Sequence, residues 1–190
     1  MRAAMVPLVL SILGFAGSPS PSGVNPHWLL QEQSNTGAYG SVLAQAREVV
    51  RGVWGSPEAW DSLCGVKTTD HRVLLVLDPR LRTGSGPSAR GHFSGTLPPD
   101  TLKALLARNF IDRICTSTSK EVCRDPSATM NLSLSEATKV GGDSVRVTLL
   151  MTRQNHCGHD RHGFASEVEF LLLREGSLWV VVGQQLMWIT

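Results

Sequence analysis

Residues 128–190 are written almost wholly in β periods, and this stretch decides what the rest of the chain can pack against. Met130, Leu132 and Leu134 alternate with Asn131, Ser133 and Ser135, the two-residue period of a strand with one face buried. Gly141-Gly142-Asp143 supplies a turn into residues 144–153, which predicts a hairpin. Residues 166–174 and 178–188, joined across Glu175-Gly176-Ser177, predict a second. The last strand is apolar on both faces, and such a strand is ordinarily covered on both. It is therefore expected to be paired within the sheet, so that removing it unfolds the domain rather than trimming a tail.

Helical periods lie upstream. Val42, Ala46, Val49, Val50 and Val53 recur at three- and four-residue steps over residues 41–54, with Gly52 and Gly55 closing the helix. A short second helix is expected over residues 57–63, with Ser56 as N-cap and Pro57 at the first helical position. The β-branched and leucine run 72–77 predicts a strand that enters a turn at Asp78-Pro79, and a short strand is expected near residues 91–94. The Gly- and Ser-rich residues between them lack the strand-to-helix setting that cradles a phosphate. Leu97-Pro98-Pro99-Asp100 opens another helix, running to about Asn109, whose buried stripe is Leu102, Leu105, Leu106 and Phe110. Residues 112–127 carry no sustained period and read as a loop tied down by its cysteines.

The compartment follows from the first residues. Arg2, an apolar run over 5–15 and the small residues of Gly14-Phe15-Ala16 predict a secretory leader cut after Ala16. No later run approaches the roughly 20 apolar residues that span a bilayer, so no membrane anchor is expected. Of 190 residues, a 16-residue leader leaves 174, enough for one domain and too few for two ordinary ones. Residues 17–35 are expected to form a flexible mature N-terminus, rich in Pro, Ser and Gly at its start, and residues 36–190 a single domain. The 18 basic and 16 acidic residues nearly cancel, so no net field draws the protein to nucleic acid or anionic lipid. The expected localisation is secreted and extracellular.

Four cysteines in an oxidising lumen predict two bridges. Cys115 and Cys123 lie close together across a polar stretch and are expected to pair, which leaves Cys64 with Cys157. Asn131-Leu132-Ser133 is an acceptor for an N-linked glycan, provided that Asn131 faces solvent. The densest polar cluster holds His156, His159 and His162, residue types that suit zinc or copper. Their spacing matches no strand or helix face, so the expectation is an exposed loop, with no metal and no cofactor. Glu167 and Glu169 share one strand face and are expected to face water. No Gly-x-Ser-x-Gly elbow and no lone thiol offer a nucleophile.

The order of helix, short helix, strand hairpin, helix and four-strand antiparallel meander resembles the nuclear-transport-factor-2-like (SnoaL-like) superfamily in its secreted branch. The resemblance rests on residues 49–60, Leu77-Asp78-Pro79, residues 91–106 and the closing hairpin 167–188. It implies an α+β fold, a bent antiparallel sheet wrapped as a cone around the N-terminal helices, akin to a cystatin-like α+β roll. It further implies a small apolar pocket between sheet and helices, and hence a non-catalytic binding or interaction module for a small apolar ligand or an unknown protein partner. The alternatives are an isomerase- or dehydratase-type enzyme with a cavity Asp or His as base, and a lipocalin- or cystatin-like secreted binder. For the enzyme the resemblance implies Asp70 and His71, with Asp61 a further option, although Asp70-His71-Arg72 by itself reads as a solvated turn.

Overall fold

A proline sits inside a strand only where no ladder hydrogen bond is asked of its missing N–H. Strand β1, Leu75–Arg82, runs through Asp78-Pro79, where sequence predicts a stop. It can do so because its pairing slips out of register between Asp78 and Arg82. In the computed structural model, which describes residues 26–54, 73–84, 86, 92–116, 123, 125, 129–153 and 164–189, β1 belongs to one eight-stranded sheet. The other strands are β2 Phe93–Thr96, β3 Arg113–Ile114, β4 Met130–Ser135, β5 Thr138–Gly141, β6 Ser144–Arg153, β7 Phe164–Glu175 and β8 Leu178–Ile189. Two helices accompany them among the described residues, α1 Pro26–Trp54 and α2 Pro99–Ala107.

The sheet is not the antiparallel meander that the resemblance implies. Its order is β2-β1-β4-β6-β7-β8, with β3 added to β1 and β5 to β6. β1 runs parallel to both β3 and β4, and the remaining pairs are antiparallel. The two ends of the order, β2 and β8, do not pair, so the sheet neither wraps as a cone around the helices nor closes as a barrel. The nuclear-transport-factor-2-like fold, its cystatin-like roll and the lipocalin alternative are thereby corrected to an open, mixed sheet in an α+β domain. The physical reason is that a hydrophobic period fixes which face of a strand is buried but says nothing of its partner or direction. Between β1 and β4 the chain passes through β2, α2 and β3, a crossover long enough to return parallel.

Alternation along each strand turns one set of side chains toward α1. Leu75 and Leu77 of β1, the three predicted residues Met130, Leu132 and Leu134 of β4, and Val147 and Leu149 of β6 form one core with Val42, Leu43, Ala46 and Val50 of α1. These side chains fill the space between helix and sheet, where an apolar ligand pocket was expected. Val49, also expected on the buried face, is 45% exposed. The stripe of α2 is as expected, with Leu105 buried and Leu102, Leu106 and Phe110 packed against the core.

α1 starts well before the apolar period that announces it, because two glycines interrupt that period where the helix approaches closest. A Cβ on Gly37 would stand 2.8 Å from the Trp179 ring, and one on Gly40 2.9 Å from the Phe110 ring. Helix propensity lost at each glycine, about 1 kcal/mol, is offset by the aromatic contact it admits. Polar ties fix the same helix. Arg47 donates to Asp112 Oδ2 at 2.8 Å, and the N–H of Leu75 donates to the same oxygen at 2.8 Å, joining α1 to the start of β1. Ser41 donates to the Trp179 carbonyl at 2.7 Å.

Tyr39 accepts from the Ala137 N–H at 3.1 Å. Burial pushes its phenol up to about 12, the Ala137 hydrogen bond pulling slightly the other way. The folded state thus holds this proton more tightly than the unfolded chain, whose tyrosine titrates near 10. Stability from Tyr39 is complete below about pH 10 and is lost as pH rises toward 12, by at most about 3 kcal/mol. Denaturant titrations from pH 8 to 12 are expected to show this fall, and Tyr39→Phe is expected to flatten it.

Candidate functional site

The sheet face turned away from α1 is built differently. Register carries one row of residues straight across five strands: Asp78 opposite Ser133, Ser133 opposite Leu150, Leu150 opposite Glu167, and Glu167 opposite Trp188. Two charged groups of that row are sealed from water, Asp78 at 1% exposure and Glu167 at 0%.

Glu167 is held by three donors from three parts of the chain. Arg82 Nη2 lies 2.7 Å from its Oε1, with both side chains at zero exposure. The Gly86 N–H and the Trp188 ring N–H both donate to Oε2. Arg82 leaves β1 and reaches β7 over β4 and β6, and Gly86 meets the same carboxylate. Arg82 Nε and Nη1 and Ser133 Oγ are buried without a hydrogen-bond partner. Glu167 is therefore not a solvated edge carboxylate, as expected from its spacing to Glu169, but the buried centre of this face. Glu169 is less buried and pairs with Arg146 at 3.2 Å.

Asp78 organises the other end of the row. Its Oδ1 accepts the Arg80 N–H at 3.0 Å and Arg80 Nε at 2.9 Å, an Asx turn that carries the chain past Pro79. Its Oδ2 accepts Arg80 Nη2 at 2.7 Å and the Cys123 N–H at 2.9 Å. These hydrogen bonds raise the Arg80 guanidinium above its ordinary range, and the same group lies 4.0 Å over the Phe93 ring. Cys115 and Cys123 are joined, their Cα atoms 6.2 Å apart, and pack on Val76 and Leu74. Asn131 anchors the same loop: its Oδ1 accepts the Asp125 N–H at 2.9 Å, and its side chain is buried. The condition for a glycan, an Asn131 amide facing solvent, is not met in this fold.

Asp61, Cys64, Asp70, His71, His156, Cys157, His159 and His162 lie outside the described residues, as does the expected helix 57–63. Among the described residues no group of three or more His, Cys, Asp or Glu converges as a metal site, and no helix is long and apolar enough to cross a membrane. The residues that sequence reasoning missed are Arg82, Glu167 as a buried group, and Asp78. Arg82 and Glu167 stand 85 positions apart, and no local spacing links them.

A second feature lies at the sheet margin. β8 pairs with β7 and ends the strand order, leaving its other side as an open edge among the described residues. Its Val182, Leu186 and Ile189 are 52%, 56% and 59% exposed, with Val180 and Met187 near 40%. The strand expected to be covered on both sides is thus the edge of the sheet.

Neither a family model, nor a curated protein, nor a solved structure matches this chain.

Glu167→Gln strips the Arg82 charge of its ionic partner and is expected to cost about 3–5 kcal/mol, read by chemical denaturation. Replacing the pair together, Arg82→Met with Glu167→Leu, is expected to recover part of that loss, since no buried charge then remains unpaired while the Gly86 and Trp188 N–H groups lose their acceptor.

Proposed function

We propose that this chain is a non-enzymatic interaction domain, exported from the cytosol, that works by accepting an extended protein segment along the open edge of β8. The observation that carries the reading is the edge itself. Beyond Trp179, whose carbonyl Ser41 holds, it runs to Ile189, contains neither charge nor proline, and exposes apolar side chains along its length. Sheets ordinarily blunt a free edge by short length, by charge, by proline or by bulges; β8 carries neither charge nor proline, and its two register slips leave Gly183 to Leu186 as a regular run. An added strand would satisfy the outward N–H and C=O groups of β8 and lay its alternate side chains against Val182, Leu186 and Ile189.

The non-enzymatic part is supported by the site chemistry. Both oxygens of Glu167 are taken by N–H donors, which leaves this buried carboxylate no opening to accept a substrate proton. Export is supported by the leader pattern of residues 1–16 and by the Cys115–Cys123 bridge, a bond that persists in oxidising compartments. This edge reading replaces the pocket-binding module, whose pocket is filled by the core.

Soluble ten-residue peptides of alternating Val and Thr, with a lysine at each end, are the probe. Added to protein diluted until sedimentation shows it monomeric, they are expected to protect β8 amides from hydrogen exchange, and Val182→Lys is expected to weaken that binding by about ten-fold or more, about 1.4 kcal/mol. Peptides that leave β8 unprotected, or bind the variant equally well, would remove the proposal. Mass spectrometry of the exported product is expected to find Gly17 as its first residue.

A further inference from the structure

We infer that the segment completing the sheet is β8 of a second copy of this chain, the two strands running antiparallel about a two-fold axis that passes between the two Gln185 residues. The inference rests on the edge-docking reading above and names its partner.

Three features of β8 favour a copy of itself over a foreign strand. The first is charge. In a two-fold pairing the strand meets itself, so a charged residue near the axis would face its own like charge. β8 is free of charge from end to end, and the whole chain carries a formal net charge of only +2, so two copies approach without repulsion. A strand that selected a foreign partner would be expected to carry charges that reject wrong ones.

The second feature is pattern. Apolar residues 180–182 and 186–189 flank the polar centre Gly183-Gln184-Gln185. Turned about an axis at that centre, the first apolar block of one strand lies beside the second block of the other. The residue left at the axis is Gln185, whose amide is donor and acceptor at once and so pairs with its own kind. The ladder with β7 agrees with this placement. It slips out of register between Leu171 and Leu172 and again between Glu167 and Val168. Gly183 to Leu186 is the regular run between those two slips, and the axis falls within it.

The third feature is extent. Ser41 already holds the Trp179 carbonyl, so the free edge begins beyond Trp179 and runs to Ile189. Its exposed Val180, Val182, Leu186, Met187 and Ile189 offer on the order of 500 Å² of apolar surface. With the backbone edge and two exposed glutamines, the patch approaches the ~800 Å² per partner of a stable interface.

Sedimentation equilibrium of the purified full chain after leader removal tests the inference. The wild type is expected to be a dimer. Gln185→Lys and Gln185→Glu, each placing like charges at the axis of an exposed strand, are each expected to raise the dimer dissociation constant by about 100-fold, about 2.7 kcal/mol. Mixed in equal amounts, the two variants are expected to form a heterodimer, an outcome that a folding defect cannot produce. Val140→Lys, on exposed β5, is the control and is expected to leave the dimer intact. A wild type that stays monomeric at all concentrations overturns the second copy. If the peptides still protect its β8 amides, the edge reading survives that result. If β8 amides are already protected in the monomer at every dilution, the chain covers its own edge and both readings fall. A dimer indifferent to both Gln185 substitutions overturns the β8 interface.

Discussion

A guanidinium and a carboxylate, both removed from water and joined across four strands, set the terms for the rest of this domain. Taking Arg82 and Glu167 out of water is costly, and their attraction recovers that cost only while the geometry holds. The pair therefore acts less as a source of stability than as a condition on the arrangement of strands. Arg82 reaches Glu167 across β4 and β6, about as far as the two side chains can span, and Trp188 reaches it because β8 lies beside β7.

From that condition the two faces divide their work. The face under α1 is a close-packed apolar core in which interior glycines of the helix serve approach rather than flexibility. The opposite face carries the buried polar row, where the Gly86 N–H meets Glu167 and the Cys123 and Asp125 N–H groups meet Asp78 and Asn131. With α1 packed on one face and the buried polar row on the other, the sheet ends among the described residues at the margin of β8. That is why an edge, and not a cavity, carries the functional reading.

Much of the local structure was legible in the sequence. The alternation of Met130, Leu132 and Leu134, the hairpin closed at Gly176 and the α2 stripe led by Leu105 each follow from nearest-neighbour periods, and each is present. What periods cannot carry is partnership. Nothing local marks β1 as parallel to β4, and a meander was the natural reading of strands met one after another. Asp78-Pro79 looked like a stop because the Asx turn and register slip that let the strand continue depend on a neighbouring strand. The buried site was hidden for the same reason, since Glu167 is indistinguishable from Glu169 until Arg82 arrives from β1. The apolar character of β8 was visible, but pattern alone equated it with burial, whereas the structure places it at an edge.

The two slips in the β7–β8 ladder make β8 a counted strand. Each admits one residue of β8, Val182 and then Met187, that has no partner on β7, and each reverses the parity of everything beyond it. Trp188 meets Glu167 only because both reversals occur and cancel. Loss or gain of a single residue anywhere between Val181 and Trp188 would leave one reversal unmatched and send the indole to the wrong side. Point substitutions can accumulate along this strand, but its length is fixed, an arithmetic limit on how the chain can diverge.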